Sequence, residues 1–238
     1  MTDKEKFQPN LITFKGARLA FARIHKAEAR KGKDGQPKGE PKFSCTVLLD
    51  PSNKEHQATI NQIVSESVRA LNHRYGEGRF NAELLLAVAR GEKSFPNFHL
   101  AWGFGNALPA FGKKVYDGFK DMFFLKLADK SRPNLLNRDG KPVVEGDPQC
   151  PYAGAYVAGT TTIYSYDNES RGANANLRTL VFQRDGQAFG GGGANAEQEF
   201  AAIGDLGDAG AAADPFGGAG GGSVKGGSAP AADPFAIS

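Results

Sequence analysis

The chain has 238 residues, 40% of them apolar, a formal charge of +3 and two cysteines, which is enough length for one large domain or two small ones with a real core. No apolar run reaches the ~18 residues of a membrane helix, and the polar N-terminus lacks a signal-peptide pattern, so neither a membrane span nor a secretory leader is expected. Cys45 and Cys150 belong to no C-x-x-C pair, which argues against a zinc ribbon or a disulfide framework and for two reduced thiols.

The charge is unevenly spread. From Gly190 onward one basic residue, Lys225, stands against six acidic ones (Glu197, Glu199, Asp205, Asp208, Asp214 and Asp233), so the tail carries −5 and residues 1–189 carry +8. A basic body with an acidic tail points to a polyanionic partner for the body. The tail is then free to compete for the same surface.

In chain order, residues 10–24 predict a strand with two mixed faces. Leu11, Thr13, Lys15, Ala17, Leu19, Phe21 and Arg23 fall on one side, and Ile12, Phe14, Gly16, Arg18, Ala20, Ala22 and Ile24 on the other. Gly16 suits a bend or bulge in a curled sheet. Residues 25–42 read as a long cationic loop with Lys26, Arg30, Lys31, Lys33, Lys38 and Lys42, followed by a strand over 42–49 that stops at Asp50-Pro51. Residues 53–75 are the clearest helix, capped by Ser52 or Asn53, with Ile60, Ile63, Val64, Val68 and Leu71 at helical spacing. His56 and His73 lie on it without metal-ligand spacing and read as surface residues. A shorter helix over 82–89 ends at Gly91.

The only tryptophan, Trp102, sits between glycine-rich turns. Residues 111–127 then mix Lys113, Lys114, Tyr116, Phe119, Lys120, Phe123, Phe124 and Lys126. Interleaved rings and cations suit a single-stranded nucleic-acid groove, where rings stack on bases and cations track phosphates. The M-F-F-L-K-L run equally suits a core strand with its lysines toward water, and the sequence leaves both readings open. Lys130, Arg132, Arg138 and Lys141 follow among turn residues.

Residues 155–166 predict a further strand, rich in Thr, Tyr and β-branched side chains, which breaks at Asp167-Asn168, loops through Gly172 and returns as another strand over 177–182. Alternation places Tyr156, Thr160, Thr162, Tyr164 and Tyr166 on one face and Val157, Gly159, Thr161 and Ile163 on the other. With Arg171 and Arg178 nearby, the tyrosine face suits stacked bases and held phosphates. Filling a barrel core is the competing use of these rings.

A four-glycine run, residues 190–193, predicts the end of the folded domain. The sequence thus divides into a body, 1–189, and a Gly/Ala-rich acidic tail, 190–238, too poor in apolar residues to offset its ordering entropy. Inside the tail, Ala212-Ala213-Asp214-Pro215-Phe216 returns as Ala231-Ala232-Asp233-Pro234-Phe235. An acid, a proline and a phenylalanine repeated in low-complexity sequence suggest a docking motif, with Asp214, Pro215, Phe216, Asp233, Pro234 and Phe235 as its residues. No phosphate loop, H-E-x-x-H or G-x-S-x-G is present, and the four histidines show no ligand spacing. No catalytic residue, metal or cofactor is expected, and an enzyme is disfavoured.

The motifs also resemble, in order, a phage-encoded family of single-stranded-DNA-binding proteins. They are K-L-A-D-K-S-R-P at residues 126–133, D-G-K-P at 139–142, Y-x-G-x-Y-V running to Y-S-Y-D at 152–167, and a close on D-G-x-x-x-G-G at 185–191. The resemblance covers most of residues 10–192. It implies an all-β-dominated fold with minor α: an OB-fold-like five-stranded antiparallel barrel with one main helix, long loops and a disordered C-terminal tail.

It further implies a protein that coats single-stranded DNA in phage replication, recombination and repair, working in the host cytoplasm, often as a homodimer. Its tail would contact replication enzymes such as polymerase, helicase or primase. Combined with the basic and aromatic pattern, this makes Lys113, Lys114, Tyr116, Lys126, Lys130, Arg132, Tyr156, Tyr164, Tyr166 and Arg171 the candidate DNA-binding residues. The principal alternative is a phage structural or assembly protein whose tail is a spacer.

Overall fold

The computed structural model describes residues 6–31, 35–187 and 189. The predicted acidic tail and its repeated Asp-Pro-Phe lie outside the described residues. The body is mostly β: a nearly closed, barrel-like sheet with two α-helices and one 3-10 helix among the described residues.

β1 (Leu11–Lys31) pairs antiparallel with both β2 (Pro37–Leu49) and β7 (Tyr156–Asp167). β2 pairs in turn with β5 (Phe123–Asp129). Closure comes through β3 (Phe98–Leu100) and β4 (Trp102–Phe104), which meet at Ala101. β3 lies parallel to β8 (Arg171–Ala175), β4 lies antiparallel to β5, and β8 forms a hairpin with β7. Ala101 ties the seam, donating its N–H to Ala173 O at 2.9 Å and accepting from Lys126 N at 2.7 Å. β9 (Thr179–Arg184) pairs with the first half of β7, and β6 (Asn134–Leu136) runs parallel beside β9. The five-strand expectation therefore understated the sheet, which holds nine named strands among the described residues, two of them short closing pieces.

The mixed faces of β1 are resolved by bulges. At Gly16, φ +65°, the strand gains a residue against β7, and inward positions shift from Ile12 and Phe14 to Ala17 and Leu19, all buried. Gly16 N donates to Gln183 Oε1 at 2.7 Å. A second irregularity follows Ala20, where Phe21 adopts φ +49°. A left-handed aromatic residue is uncommon, and such strain tends to gather where a chain works.

Three expectations need correction. The cationic stretch predicted as a loop over 25–42 is strand over 25–31 and 37–42. There β1 and β2 pair as a two-stranded arm, with Glu28 opposite Lys42, Arg30 opposite Lys38 and Lys31 opposite Pro37. The segment through Gly172 is strand β8, and the return strand runs Thr179–Arg184 rather than 177–182. Finally, His56 is not on the surface. It is buried, accepting from Asp50 N at Nδ1 and meeting Lys15 O from Nε2, both at 2.9 Å, and it packs under the Gly16 bulge. His73 is partly covered, its ring 5.2 Å from that of Phe7.

α1 (Lys54–Tyr75) starts as predicted. The Asn53 side chain accepts from Glu55 N and His56 N, and Ile60, Ile63, Val64 and Leu71 are buried against the barrel. α2 (Ala82–Ala89) is capped by Asn81 and supplies buried Leu85 and Val88. The Trp102 indole donates to Ser67 Oγ on α1 at 2.9 Å, which satisfies a polar group in the core.

α1 also holds the start of the body. Buried Glu66 accepts from Asn10 N at 2.8 Å, Asn10 Nδ2 at 3.1 Å and both Arg69 Nε and Nη2, while Arg69 donates to Gln8 O and covers the Phe7 ring. Arg69 is partly exposed, so the salt bridge itself adds little. The main loss in Glu66→Ala is the acceptor for the strand's first donors. The variant is expected to lose about 2 kcal/mol of stability, measured as a shift of the urea midpoint without a change in slope. An unmoved midpoint would show that the clamp is dispensable.

Candidate nucleic-acid interface

Side chains of directly paired residues project from the same face of a sheet. The register places Arg184 of β9 beside Tyr156 of β7, Tyr156 beside Arg18 of β1, Arg18 beside Leu48 of β2, and Leu48 beside Phe124 of β5. These five side chains cross the face that points away from the barrel core. The next row contains Ala20, Thr46 and Lys126.

Part of this outer face is covered by the loop leading to β5. There buried Phe119 packs against Gly105 at the start of the 3-10 helix (Gly105–Phe111) and against the Phe124 ring at 6.1 Å. Leu48 and Phe124 are buried as well. Thus the M-F-F-L-K-L run is a core strand, but only in part: Phe123, Leu125 and Leu127 face inward, whereas Phe124 and Lys126 belong to the outer face.

Cations lie over rings along this face. The Arg184 guanidinium sits 3.3 Å from the Tyr156 ring centre, Arg18 lies 4.1 Å from Phe189, Lys114 Nζ 5.4 Å from Tyr116, and Lys126 Nζ 5.7 Å from Phe124. Phe21 meets the edge of Tyr116 at 5.5 Å and packs on Phe119 at 5.7 Å. Each cation–ring pair stabilises its own geometry by about 0.5–1 kcal/mol at an exposed site. Together they hold positively charged side chains in place along the face before any ligand arrives.

The structure divides the ten candidate residues into three groups. Tyr156, Lys114, Tyr116 and Lys126 share the outer face, with half-buried Lys113 adjoining through its N–H to Leu108 O. Tyr164 and Tyr166 lie toward the other end of β7, eight and ten residues from Tyr156 and therefore about 26 and 33 Å along the strand, and Arg171 opens β8 beside that end. There Tyr164 pairs with Asn174, Tyr166 with Gly172, and exposed Arg171 with Asp167. Burial raises the Tyr164 phenol above its ordinary pKa, so it stays protonated, and its hydroxyl bonds to Asn174. Tyr75 of α1 donates to the Tyr166 carbonyl at 2.9 Å.

Lys130 and Arg132 form the third group, on the exposed loop after β5. Lys130 pairs with Glu40 of the arm and holds that carboxyl below its usual range. Arg18, Phe21, Phe124, Arg184 and Phe189 were not among the candidates. Their sequence signal was weak, because only the bulges and the cross-strand register bring them to one face.

Burial raises both cysteine thiols, Cys45 strongly and Cys150 with help from Asp147 and Glu145. Neither is a thiolate available for chemistry. Among the described residues no group of three or more His, Cys, Asp or Glu is placed to hold a metal ion, and no helix is long and apolar enough to cross a membrane.

The family model for the single-stranded-DNA-binding protein of Enterobacter phage Enc34 matches residues 10–210. The chain belongs to that family. The family is one of binding proteins, not of enzymes. Protein p50 of Acyrthosiphon pisum secondary endosymbiont phage 1 is 42% identical over 87 residues, 37% of this chain and 47% of that protein. The chain thus spans about half the length of the curated relative it matches.

Two solved structures share the fold. The bacteriophage Enc34 single-stranded DNA-binding protein in complex with ssDNA has a TM-score of 0.52 at 22% identity, covering 76% of this chain and 89% of its own. A C-terminal truncation of the Enc34 protein has a TM-score of 0.55 at 20% identity, covering 75% and 88%.

Proposed function

We propose that this protein binds single-stranded DNA without marked sequence preference, along the outer face of β9, β7, β1, β2 and β5. The observation that carries this reading is the row of cations along the face, Arg184 over Tyr156, the Arg18 guanidinium beside it, Lys114 over Tyr116 and Lys126 beside the buried ring of Phe124. Rings and guanidinium planes stack on any base, while the cations neutralise phosphates. Membership of the Enc34 family supports the same reading.

The basic arm of β1 and β2 extends the charged track, with exposed Lys26 and Lys42 available to the backbone. Lys113, Lys130 and Arg132 are proposed as peripheral phosphate contacts. Tyr164, Tyr166 and Arg171 are proposed to engage a longer strand that continues along β7.

In the cell, the protein would coat and protect single strands during phage DNA replication, recombination and repair in the host cytoplasm. The acidic tail, through Asp214, Pro215, Phe216, Asp233, Pro234 and Phe235, would dock replication enzymes. The active unit would be a homodimer, and no cofactor or metal enters the mechanism.

Fluorescence anisotropy with labelled oligo-dT and duplex DNA over a salt series tests the core of this reading. Neutralising four phosphates predicts a log–log salt slope of about −3 for single strands, or a loss of about fiftyfold between 50 and 200 mM salt. A preference for duplex, or no binding of oligo-dT at micromolar protein, would reject it.

A further inference from the structure

Phe189 is the last described residue, and it lies on the outer face rather than away from it. Its ring covers the Arg18 guanidinium at 4.1 Å and fills the space above Gly118, where any Cβ would overlap it. The chain just before it is fastened to the same arginine, whose Nη2 donates to Gln187 O. Beside this slot stand Phe21, Tyr116 and Phe119, with Tyr116 edge to face against the other two rings, and Phe21 holds its left-handed backbone there.

One polar group in the slot is unmet. Arg18 Nε is buried without a hydrogen-bond partner, one of two such side-chain atoms among the described residues. A buried donor left unpaired beside a flat cation calls for an explanation. An incoming nucleotide supplies one: its base stacks on the guanidinium plane, and a base carbonyl or phosphate oxygen accepts from Nε. Phenylalanine reproduces the stack but cannot accept the hydrogen bond.

We infer that the Arg18–Gly118 slot is a nucleobase-stacking subsite that Phe189 occupies in the free protein. This rests on the single-stranded-DNA reading above and names one position within it. Entry of a base displaces Phe189 and exchanges a neutral ring for a ligand that satisfies Arg18 fully. Phe189 therefore competes with the nucleic acid by shape, independently of the acidic charges further along the chain.

The test uses the full-length chain and oligo-dT at fixed salt. Phe189→Ala and Phe189→Leu remove the competing ring, and each is expected to tighten binding about two- to fivefold, the factor equivalent to one exposed cation–ring pair. Equal or weaker binding by both variants overturns the inference while leaving wild-type binding intact.

Phe189→Trp gives an independent readout. The native indole, Trp102, is 2% exposed and bonded to Ser67, so it remains a constant background. Saturating oligo-dT is expected to shift the new tryptophan's emission to longer wavelength as the ring leaves the slot. An unshifted spectrum at saturation overturns the inference. Failure of the wild-type chain to bind oligo-dT overturns both the inference and the reading beneath it.

Discussion

A Tyr156→Ala/Arg184→Ala variant is expected to bind oligo-dT about ten- to a hundredfold more weakly than the wild-type chain. The Arg184 guanidinium carbon lies over the Tyr156 ring, 3.3 Å from its centre, so the two side chains form one platform. Removing a platform that stacks a base costs about 1–3 kcal/mol by alanine substitution, and loss of one cation adds to this at low salt.

Arg184 is exposed and Tyr156 half-buried, at the end of β7 where β9 finishes, so the melting temperature should change little. Tyr156→Phe keeps the ring and should bind nearly as the wild type does. The salt slope of the double variant should be shallower by about 0.7, the value for one phosphate contact on a single strand. Wild-type affinity in the double variant would move the contact surface to the Tyr164, Tyr166 and Arg171 end of β7.

The second large effect concerns folding. Gly172→Ala is expected to lower stability by about 3 kcal/mol or more, and the melting temperature by about 6–12 °C. Gly172 sits opposite His99 in the β3–β8 pair that closes the barrel, with φ +150°. A Cβ there would lie far inside contact distance of the His99 carbonyl oxygen, an atom of the neighbouring backbone that cannot rotate away. Relief would require β3 to separate from β8. That would also release Ala101, whose N–H holds Ala173 O and whose carbonyl holds Lys126 N. A melting temperature within about 2 °C of wild type would show that the seam is not needed for closure.

Both predictions depend on features with unequal legibility in the sequence. The alternation in β7 was readable because this strand has no internal bulge over its core-facing residues. Val157, Gly159, Thr161 and Ile163 are all buried, and Tyr156, Tyr164 and Tyr166 are half-buried on the other face. The same rule failed in β1. It put Arg18 and Phe21 on opposite sides and Ala17 on the side away from Phe14, because each bulge reverses every later side chain.

Glycine at 16 hinted at the first reversal, but nothing local announced the second, since phenylalanine at positive φ is held by its neighbours rather than by its own preference. The arm over 25–42 misled in another way. Its lysines, glycines and prolines have the composition of a loop, yet pairing between β1 and β2 extends through them to Lys31 and Pro37.

Features set by short-range chemistry were therefore open to the sequence alone. Asn53 and the apolar spacing defined α1, residues 82–89 defined α2, and the Thr- and Tyr-rich run defined β7 and its two faces. The uneven charge, the ordered motifs and the family they resemble were likewise matters of residue identity. Only the tertiary structure decided that Gly172 lies in a closing strand, that His56 is buried, and that Arg18, Phe21, Phe124, Tyr156, Arg184 and Phe189 meet on one surface. Those outcomes depend on bulges and on pairing between residues as far apart as Arg18 and Tyr156. Side-chain alternation carries no memory across such distances, so backbone register had to be formed before the site existed.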